Sequence, residues 1–210
     1  MRNVLAIMMI NLIMTIGNAQ EITVSAASSL TNAFKDIART FETQHPETKI
    51  ALNFGGSGTL LQQIASGAPV DVFASADQAT MDKAEKNQYI DQTTRQNFAA
   101  NTLVLIVPND STLAITQLGD LRHKKVTRIA VGNPASVPVG SYTQQALKAA
   151  TLWEALTDKI ITTQNVRQSL DYVARGEVDA GFVYATDAKI MQDKVKVVLT
   201  VPLPVRIDYP

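Results

Sequence analysis

Apolar and polar positions follow two alternating periods along most of this chain. Short runs of apolar, β-prone residues are each followed by a stretch in which apolar residues recur every three or four positions. The first pattern is typical of buried strands and the second of amphipathic helices. The predicted strands cover 22–26, 50–54, 70–74, 103–107, 128–131, 160–163, 180–184 and 195–201, with helices predicted at about 30–44, 60–64, 78–88, 142–150 and 167–175. This alternation predicts an α/β fold in which mostly parallel sheets are flanked by helices.

The first nineteen residues follow a different pattern. Arg2 precedes an apolar run from Val4 to Ile16, and Gly17-Asn18-Ala19 has the small-x-small form of a signal-peptidase site. The run is short for a bilayer span, and a genuine N-terminal helix of the fold is the alternative interpretation. We expect residues 1–19 to be a signal peptide that is cleaved near Ala19, which places the mature protein in the periplasm.

Composition limits the possible classes of protein. The 210 residues are 46% hydrophobic and 18% charged, with a formal net charge of zero. This length suffices for one large domain or two small lobes, each with its own core. Neutrality argues against nucleic acid or an anionic membrane as the main partner, because neither would be attracted electrostatically. The absence of cysteine excludes disulfides, thiolate metal sites and a cysteine nucleophile.

The mature chain contains no low-complexity linker, so any division into lobes must use short crossover strands. The best candidates for these crossovers lie near Ala100 and Thr200. We therefore predict a first lobe over 20–100, a second lobe over 101–200, and a segment 201–210 that returns towards the first lobe.

Four segments place small or polar residues where a strand ends and a helix begins. Helix N-termini carry unpaired N–H groups and the positive end of the helix dipole, which makes each segment a candidate anion site. In open α/β sheets, ligands bind at this edge. The alternative is that Ser28, Ser29 and Ser57 are ordinary helix caps or turn residues. The segments are 28–31, 55–59, 137–141 and 165–167.

Cations are scarce near these turns, with Arg167 as the exception. Long intervals without Lys or Arg separate Arg2 from Lys35, Lys49 from Lys83, and Arg128 from Lys148. An anion here would be held mainly by hydroxyl and backbone N–H groups. Such a site suits reversible capture of a whole ion better than phosphoryl transfer, which needs positive charge to stabilise its transition state.

Enzyme interpretations find little support in the sequence. His45 and His123 lie in polar contexts without metal-ligand spacing, so both are expected at the surface. Asp71 and Asp77 could form a carboxylate pair, although a strand-end Asp more often accepts hydrogen bonds from nearby backbone. Tyr184 ends a predicted strand, and its hydroxyl could either bond the backbone or face the cleft. We expect no enzymatic activity, no cofactor and no resident metal.

Six stretches together resemble the periplasmic molybdate-binding proteins of bacterial ABC importers. They occur in the family's order and span nearly the whole mature chain, the Ser-Leu-Thr-Asn-Ala and Asp-Val-Phe-Ala-Ser-Ala-Asp segments being the most specific. The resemblance implies a two-lobe type II periplasmic binding protein fold that closes over the ion, with a strand and helix beyond Pro210 completing the first lobe. The matching stretches are 26–34, 54–60, 67–77, 137–140, 165–167 and 181–184.

The resemblance also implies which residues bind the ion. It assigns hydroxyl and N–H donors to Ser29 and Ser57, backbone N–H donors to Val139 and Val166, and a hydroxyl donor to Tyr184. Position 139 is commonly alanine in the family, and valine is tolerated there if only its N–H is used. The implied function is capture of molybdate or tungstate by a monomer and delivery to the membrane permease of an ABC importer.

Three other functions remain open on sequence grounds. The nearest is a binding protein for another small oxyanion, such as sulfate or phosphate, or for an organic acid. The second is an enzyme on a related two-lobe fold, which would need an acid, a base or a cofactor anchor in the cleft. The third is the ligand-sensing domain of a regulator, which the predicted signal peptide disfavours.

Overall fold

The computed structural model describes residues 20–210, so the predicted signal peptide lies outside the described residues. The strands are β1 (Gln20–Ala27), β2 (Thr48–Gly55), β3 (Val72–Ala74), β4 (Ala99–Asn101), β5 (Leu103–Pro108), β6 (Ile129–Gly132), β7 (Ile160–Thr163), β8 (Ala180–Tyr184), β9 (Val195–Thr200) and β10 (Ile207–Tyr209). The α-helices are α1 (Thr31–Gln44), α2 (Ser57–Ala65), α3 (Gln78–Lys86), α4 (Pro138–Ala149), α5 (Trp153–Leu156), α6 (Val166–Ala174) and α7 (Ala185–Ile190). Between residues 20 and 210, no helix combines the length and apolar character that a membrane span requires.

The first sheet has three parallel strands in the order β2-β1-β3, and we call it, with α1 to α3, the first lobe. Each connection between its strands contains a helix, as parallel pairing requires. His45 caps the C-terminal end of α1 immediately before Pro46, which agrees with the predicted helix end. The carboxyl ends of β1 and β2 are paired through Ala27 and Gly55, so the turns that follow these strands are neighbours.

The second sheet has five strands in the order β7-β6-β8-β5-β9 and, with α4 to α7, forms the second lobe. It contains the main hydrophobic core, in which Leu105, Phe182 and Leu170 are fully buried. β6 runs parallel to β7 and β8, as predicted, whereas β5 runs antiparallel to β8 and β9. Hydrophobic patterning gives the period of a strand but not its direction, so these antiparallel pairs could not be read from it.

A two-stranded antiparallel ribbon of β4 and β10 joins the lobes. β4 lies at the crossover predicted near Ala100, and β10 lies within the return segment, downstream of the crossover predicted near Thr200. The N–H of Phe98 donates to the carbonyl of Tyr209 (3.0 Å), and the N–H of Ser75 donates to the carbonyl of Pro210 (2.9 Å). These bonds attach the end of the chain to the first lobe.

Candidate anion-binding site

A small cavity lies between the lobes, where β1, β2 and β8 end and where α2, α4 and α6 begin. All five residues predicted to bind the ion contribute to its lining. Within the described chain, no charged side chain belongs to that lining. The lining residues are Ala27, Ser28, Ser29, Gly55, Gly56, Ser57, Ala76, Val137, Pro138, Val139, Val166 and Tyr184.

Ser57 is oriented by a backbone donor from the first lobe. It is the first residue of α2 and is fully buried. Its Oγ accepts a hydrogen bond from the N–H of Ala76 at 3.0 Å. A hydroxyl group has one proton and two lone pairs. Since Ala76 already occupies a lone pair, the Ser57 hydroxyl keeps its proton available for an acceptor in the cavity.

Ser29 is oriented in the same way by the last strand. The hydroxyl of Tyr209 donates to Ser29 Oγ at 3.1 Å, and Asn101 Nδ2 donates to the Tyr209 hydroxyl oxygen, also at 3.1 Å. The direction of this relay follows from Asn101, whose amide nitrogen can only donate. The proton of Ser29 is therefore left for the cavity.

The interpretation of these serines as helix caps is wrong. The turn Ser28–Leu30 is a short 3₁₀ segment that precedes α1, and no side-chain hydrogen bond caps either of them. Ser57 lies inside α2, whose N-cap is Gly56 and likewise has no side-chain cap bond. The hydroxyl groups of Ser29 and Ser57 are thus not engaged by these helix ends, which leaves them free to serve the cavity.

Tyr184 supplies a third hydroxyl donor. Only 1% of the residue is exposed, and within residues 20–210 its hydroxyl has no hydrogen-bond partner. This finding contradicts the alternative in which the hydroxyl bonds the backbone. Burial raises the pKa of Tyr184 well above its ordinary value, so the phenol stays protonated and can donate. A buried donor without a partner costs stability, and such groups in native proteins commonly serve a function.

The second lobe adds the N-termini of two helices. Pro138 is the first residue of α4, and the second is Val139, whose N–H has no acceptor within the helix. Val166 is the first residue of α6, where Asn165 caps the helix by accepting from the N–H of Gln168 at 3.0 Å. Both helices therefore direct N–H groups and positive dipole ends towards the cavity.

The close packing of α4 explains the glycine in the Val-Pro-Val-Gly segment. A Cβ added at Gly140 would lie 1.9 Å from the carbonyl oxygen of Gly132, at the end of β6. Any side chain at position 140 would displace the first turn of α4 from the strand. Glycine at this position therefore holds the N–H of Val139 at the edge of the cavity.

The two lobes are in direct contact beside the cavity. The N–H of Gly58 donates to the carbonyl of Ser136 in the second lobe at 3.0 Å. A Cβ added at Gly58 would lie 2.8 Å from both Cα and the carbonyl oxygen of Ser136. This spacing can be reached only without a side chain at position 58, so the Gly-Gly-Ser-Gly turn permits the lobes to close.

The carboxylates and histidines considered from the sequence lie elsewhere. Asp71 is exposed and accepts from the N–H of Thr23 at 2.8 Å, and Asp77 caps α3 by accepting from the N–H of Thr80 at 3.2 Å. His45 and His123 are exposed, as predicted. Among residues 20–210, His, Cys, Asp and Glu form no group of three that could hold a metal ion. Both aspartates accept hydrogen bonds from backbone N–H groups, which confirms the interpretation preferred over a carboxylate pair.

The cavity is thus lined by hydroxyl and backbone N–H donors, and within the described chain no carboxylate belongs to its lining. Three hydroxyl groups belong to Ser29, Ser57 and Tyr184, and the dipoles of α2, α4 and α6 add positive potential. Such a lining favours a small anion that carries no proton. Nothing in the sequence predicted that Tyr209 and Asn101 support this site. For Arg167, the one signal was its position as a cation beside turns where Lys and Arg are otherwise scarce.

Two relatives and one solved structure are similar to this chain over most of its length. The molybdate-binding protein ModA of Escherichia coli (strain K12) is 38% identical over 196 residues, covering 90% of this chain and 76% of the relative. The protein of the same name from Haemophilus influenzae is 34% identical over 185 residues, covering 87% and 72%. The solved structure of the Azotobacter vinelandii periplasmic molybdate-binding protein matches with a TM-score of 0.75 and 25% identity, covering 90% of this chain and 83% of that one. It confirms the predicted two-lobe type II fold.

A family model described as bacterial extracellular solute-binding protein matches residues 22–210, which is nearly all of the described chain. The match agrees with the arrangement of two lobes around a small cavity. The chain belongs to the bacterial extracellular solute-binding protein family.

Proposed function

We propose that this protein captures molybdate, and equally tungstate, in the cavity between its lobes and delivers it to an ABC importer. One observation carries the proposal: a buried tyrosine hydroxyl, without a partner among the described residues, lines a neutral cavity beside two serines already oriented as donors. The names and identity levels of the two relatives from Escherichia coli and Haemophilus influenzae support the choice of ion.

We propose hydroxyl donors from Ser29, Ser57 and Tyr184, and backbone N–H donors from Ser29, Ser57, Val139 and Val166. Molybdate is a dianion without a proton, so each of its oxygens can accept and none must donate. Monohydrogen phosphate brings a hydroxyl proton that would need an acceptor, and among the described residues no carboxylate lines the cavity to accept it. Sulfate lacks that proton but is smaller, so fixed donors would reach it less well.

The mode of action proposed is binding and release, without chemical change of the ion. Among residues 20–210, the cavity lining contains neither a general base nor a cation that would stabilise a developing charge, which favours this mode over catalysis. Accordingly, no cofactor is needed. The protein partner is the membrane permease of the importer, nucleic acid is not a partner, and the protein acts as a monomer.

The proposed location is the periplasm, reached after cleavage near Ala19. We also propose the lobe boundaries 20–100 and 101–200, with 201–210 returning to the first lobe. The ribbon of β4 and β10 supports this division because it lies between the two sheets. Expression with its own N-terminus in a Gram-negative host, followed by intact-mass analysis of the periplasmic fraction, tests both export and the cleavage position.

Parallel calorimetric titrations of the exported protein with molybdate, tungstate, sulfate and phosphate test the choice of ion. We expect molybdate and tungstate to bind at least about a hundredfold more tightly than sulfate, which corresponds to about 2.7 kcal/mol. We expect phosphate to bind more weakly still at neutral pH. Equal affinity for molybdate and sulfate would refute the assignment of the ion and leave only an oxyanion-binding protein.

A further inference from the structure

Arg167 is the cation that reaches from the second lobe into the first beside the cavity. It follows Val166 on α6, and its guanidinium crosses to two acceptors near the start of α1. Nη1 donates to Oδ1 of Asn32 at 2.9 Å, and Nη2 donates to the carbonyl oxygen of Ser29 at 3.2 Å. Both acceptors belong to the first lobe, so these bonds can exist only when the lobes are together.

Asp187 fixes the direction in which this guanidinium extends. Arg167 Nε donates to Asp187 Oδ1 at 2.6 Å, and the carboxylate is fully buried. Its Oδ2 has no hydrogen-bond partner among the described residues. Burial raises the pKa of Asp187 to about 6, although Arg167 and the N–H of Tyr184 favour the charged form. The attraction to Arg167 therefore does not fully compensate for removing the Asp187 carboxylate from water. An ion pair of this kind contributes little to the stability of the fold.

The position of this pair links it to the ion site. Arg167 is adjacent in sequence to Val166, and Asp187 lies in the first turn of α7, which Tyr184 precedes as N-cap. The carbonyl that accepts from Arg167 belongs to Ser29 itself. The ion pair thus contacts Ser29 on one side of the cavity, and on the other side it is close in sequence to Val166 and Tyr184. A guanidinium forms several directed hydrogen bonds at once, which an ammonium group cannot reproduce.

We propose that Arg167, oriented by Asp187, is a positioning residue that holds the lobes closed over the ion and thereby sets the rate of its release. This proposal rests on the proposed function. Arg167 does not line the cavity, so it acts through closure and not as a direct ligand. Bonds that exist only in the closed state slow opening, whereas the open protein that first meets the ion lacks them. The effect is therefore expected mainly on dissociation.

The test compares dissociation rates of radiolabelled molybdate, chased with excess unlabelled molybdate, across a set of variants. Asn32→Ala removes one acceptor on the first lobe and leaves the ion pair intact. The double variant Arg167→Gln/Asp187→Asn removes both charges together, because a single substitution would leave a buried charge unpaired and could prevent folding. Arg167→Lys keeps the positive charge but replaces the planar guanidinium, which forms several directed hydrogen bonds, with an ammonium group. Arg175→Gln is the matched control, since Arg175 follows the last residue of the same helix, is exposed and forms an ion pair with Glu177.

We expect dissociation to accelerate about tenfold or more in the double variant and severalfold in Asn32→Ala, with Arg167→Lys between wild type and the double variant. Association should stay within about threefold of wild type, and Arg175→Gln should match wild type throughout. Dissociation rates within twofold of wild type for both Asn32→Ala and the double variant would overturn the proposal. Loss of association with unchanged dissociation would also overturn it, because that result would place Arg167 in ion capture.

Small-angle X-ray scattering separates this proposal from the proposed function. We expect the double variant to have a larger radius of gyration than wild type at saturating molybdate. Equal radii would count against the proposed role of Arg167 in holding the lobes closed. If wild type bound no molybdate, the proposed function would fail. In that case, the radii of gyration of wild type and the double variant would be compared without ligand. A smaller radius for wild type would support the role of Arg167 in closure, and equal radii would reject it.

Discussion

The hydroxyl of Tyr209 donates a hydrogen bond to Oγ of Ser29, 180 positions earlier in the chain. Tyr209 lies on β10, one of the two strands that join the lobes, and Ser29 lies at the cavity. The Tyr209 oxygen in turn accepts from Asn101 on β4, the other joining strand. The strands that connect the lobes therefore also decide which way the Ser29 proton is directed.

Replacing Tyr209 with Phe should weaken molybdate binding roughly two- to tenfold, because the Ser29 hydroxyl loses the donor that orients it. This range corresponds to the net value of about 0.5–1.5 kcal/mol for one neutral hydrogen bond. The ring would keep its edge-on contact with Tyr184 at 5.9 Å between centroids. Calorimetric titration measures the effect. Tyr172→Phe is the control, since Tyr172 also accepts from a side-chain amide, that of Gln168, but does not line the cavity. A wild-type affinity for Tyr209→Phe would show that the relay does not orient Ser29.

Replacing Ser29 or Ser57 with Ala should lower the affinity roughly ten- to a hundredfold. Each change removes one charge-assisted hydrogen bond, worth about 1.5–3 kcal/mol in a closed site. Ser57→Ala should also destabilise the fold by about 1–3 kcal/mol, because the buried N–H of Ala76 loses its acceptor. Titration calorimetry and thermal unfolding measure the two effects separately.

Val139→Ala and Val166→Ala are the matched controls for the serine variants. Both valines are buried, so their truncation should reduce stability. Their N–H groups survive the change, so the affinity of the folded protein should stay near that of wild type. Serine variants with normal affinity, together with valine variants that lose it, would show that apolar packing and not hydrogen bonding holds the ion.

Tyr184→Phe should have effects of opposite sign on binding and on stability. Affinity should fall roughly ten- to a hundredfold with the loss of a buried donor to the dianion. The unliganded protein should unfold at the same temperature or higher, because the hydroxyl that is removed has no partner in the described part of the chain. Calorimetric titration and thermal unfolding without ion measure the two quantities. A lower unfolding temperature with unchanged affinity would mean that Tyr184 serves the fold and not the site.

Local patterns predicted the α/β class and most strands and helices, because burial imposes a period on the sequence. They did not predict β10, which has three residues and lies in a segment without a clear period, whereas β4 lies at the short crossover strand predicted near Ala100. The helix predicted from Tyr142 begins at Pro138 instead, because proline is well suited to the first position of a helix.

The five predicted site residues were reached through family resemblance and the character of the turns, and the structure brings them to one cavity. The residues that orient these donors, or that hold the lobes together beside them, were not predicted from the sequence. Asn101 and Tyr209 are 108 residues apart, and Arg167 contacts Asn32 across 135 residues. Such contacts depend on how the two lobes meet, and local sequence carries no signal for that.

The double variant Arg167→Gln/Asp187→Asn should reveal a pH-dependent cost of the buried carboxylate in wild type. The pKa of Asp187 is raised from 3.8 to about 6 in the folded protein, mainly by burial. The protonated form is therefore favoured by folding, and its contribution to stability is fully present below about pH 3.8 and lost as the pH rises through about 6. The free energy of unfolding of wild type should fall relative to that of the double variant by about 2 kcal/mol between pH 4 and 7. Chemical denaturation of both proteins over this range measures the difference. A difference that does not change with pH would contradict the raised pKa.

Gly58→Ala should prevent full closure of the lobes and weaken molybdate binding roughly tenfold or more. The added Cβ would lie 2.8 Å from Cα and the carbonyl oxygen of Ser136, both backbone atoms that cannot rotate away. Overpacked contacts of this kind typically cost about 1–3 kcal/mol, and here the cost arises only in the closed state. The unliganded protein should be at least as stable as wild type, since alanine favours the helical conformation of α2 more than glycine does. Gly119→Ala is the control, because a Cβ there would have no atom within 4 Å among the described residues beyond its own chain neighbours. Titration calorimetry should show the loss of affinity, and scattering at saturating molybdate should show a larger radius of gyration for Gly58→Ala alone. Wild-type affinity and radius in Gly58→Ala would mean that the ion is held without the contact between Gly58 and Ser136.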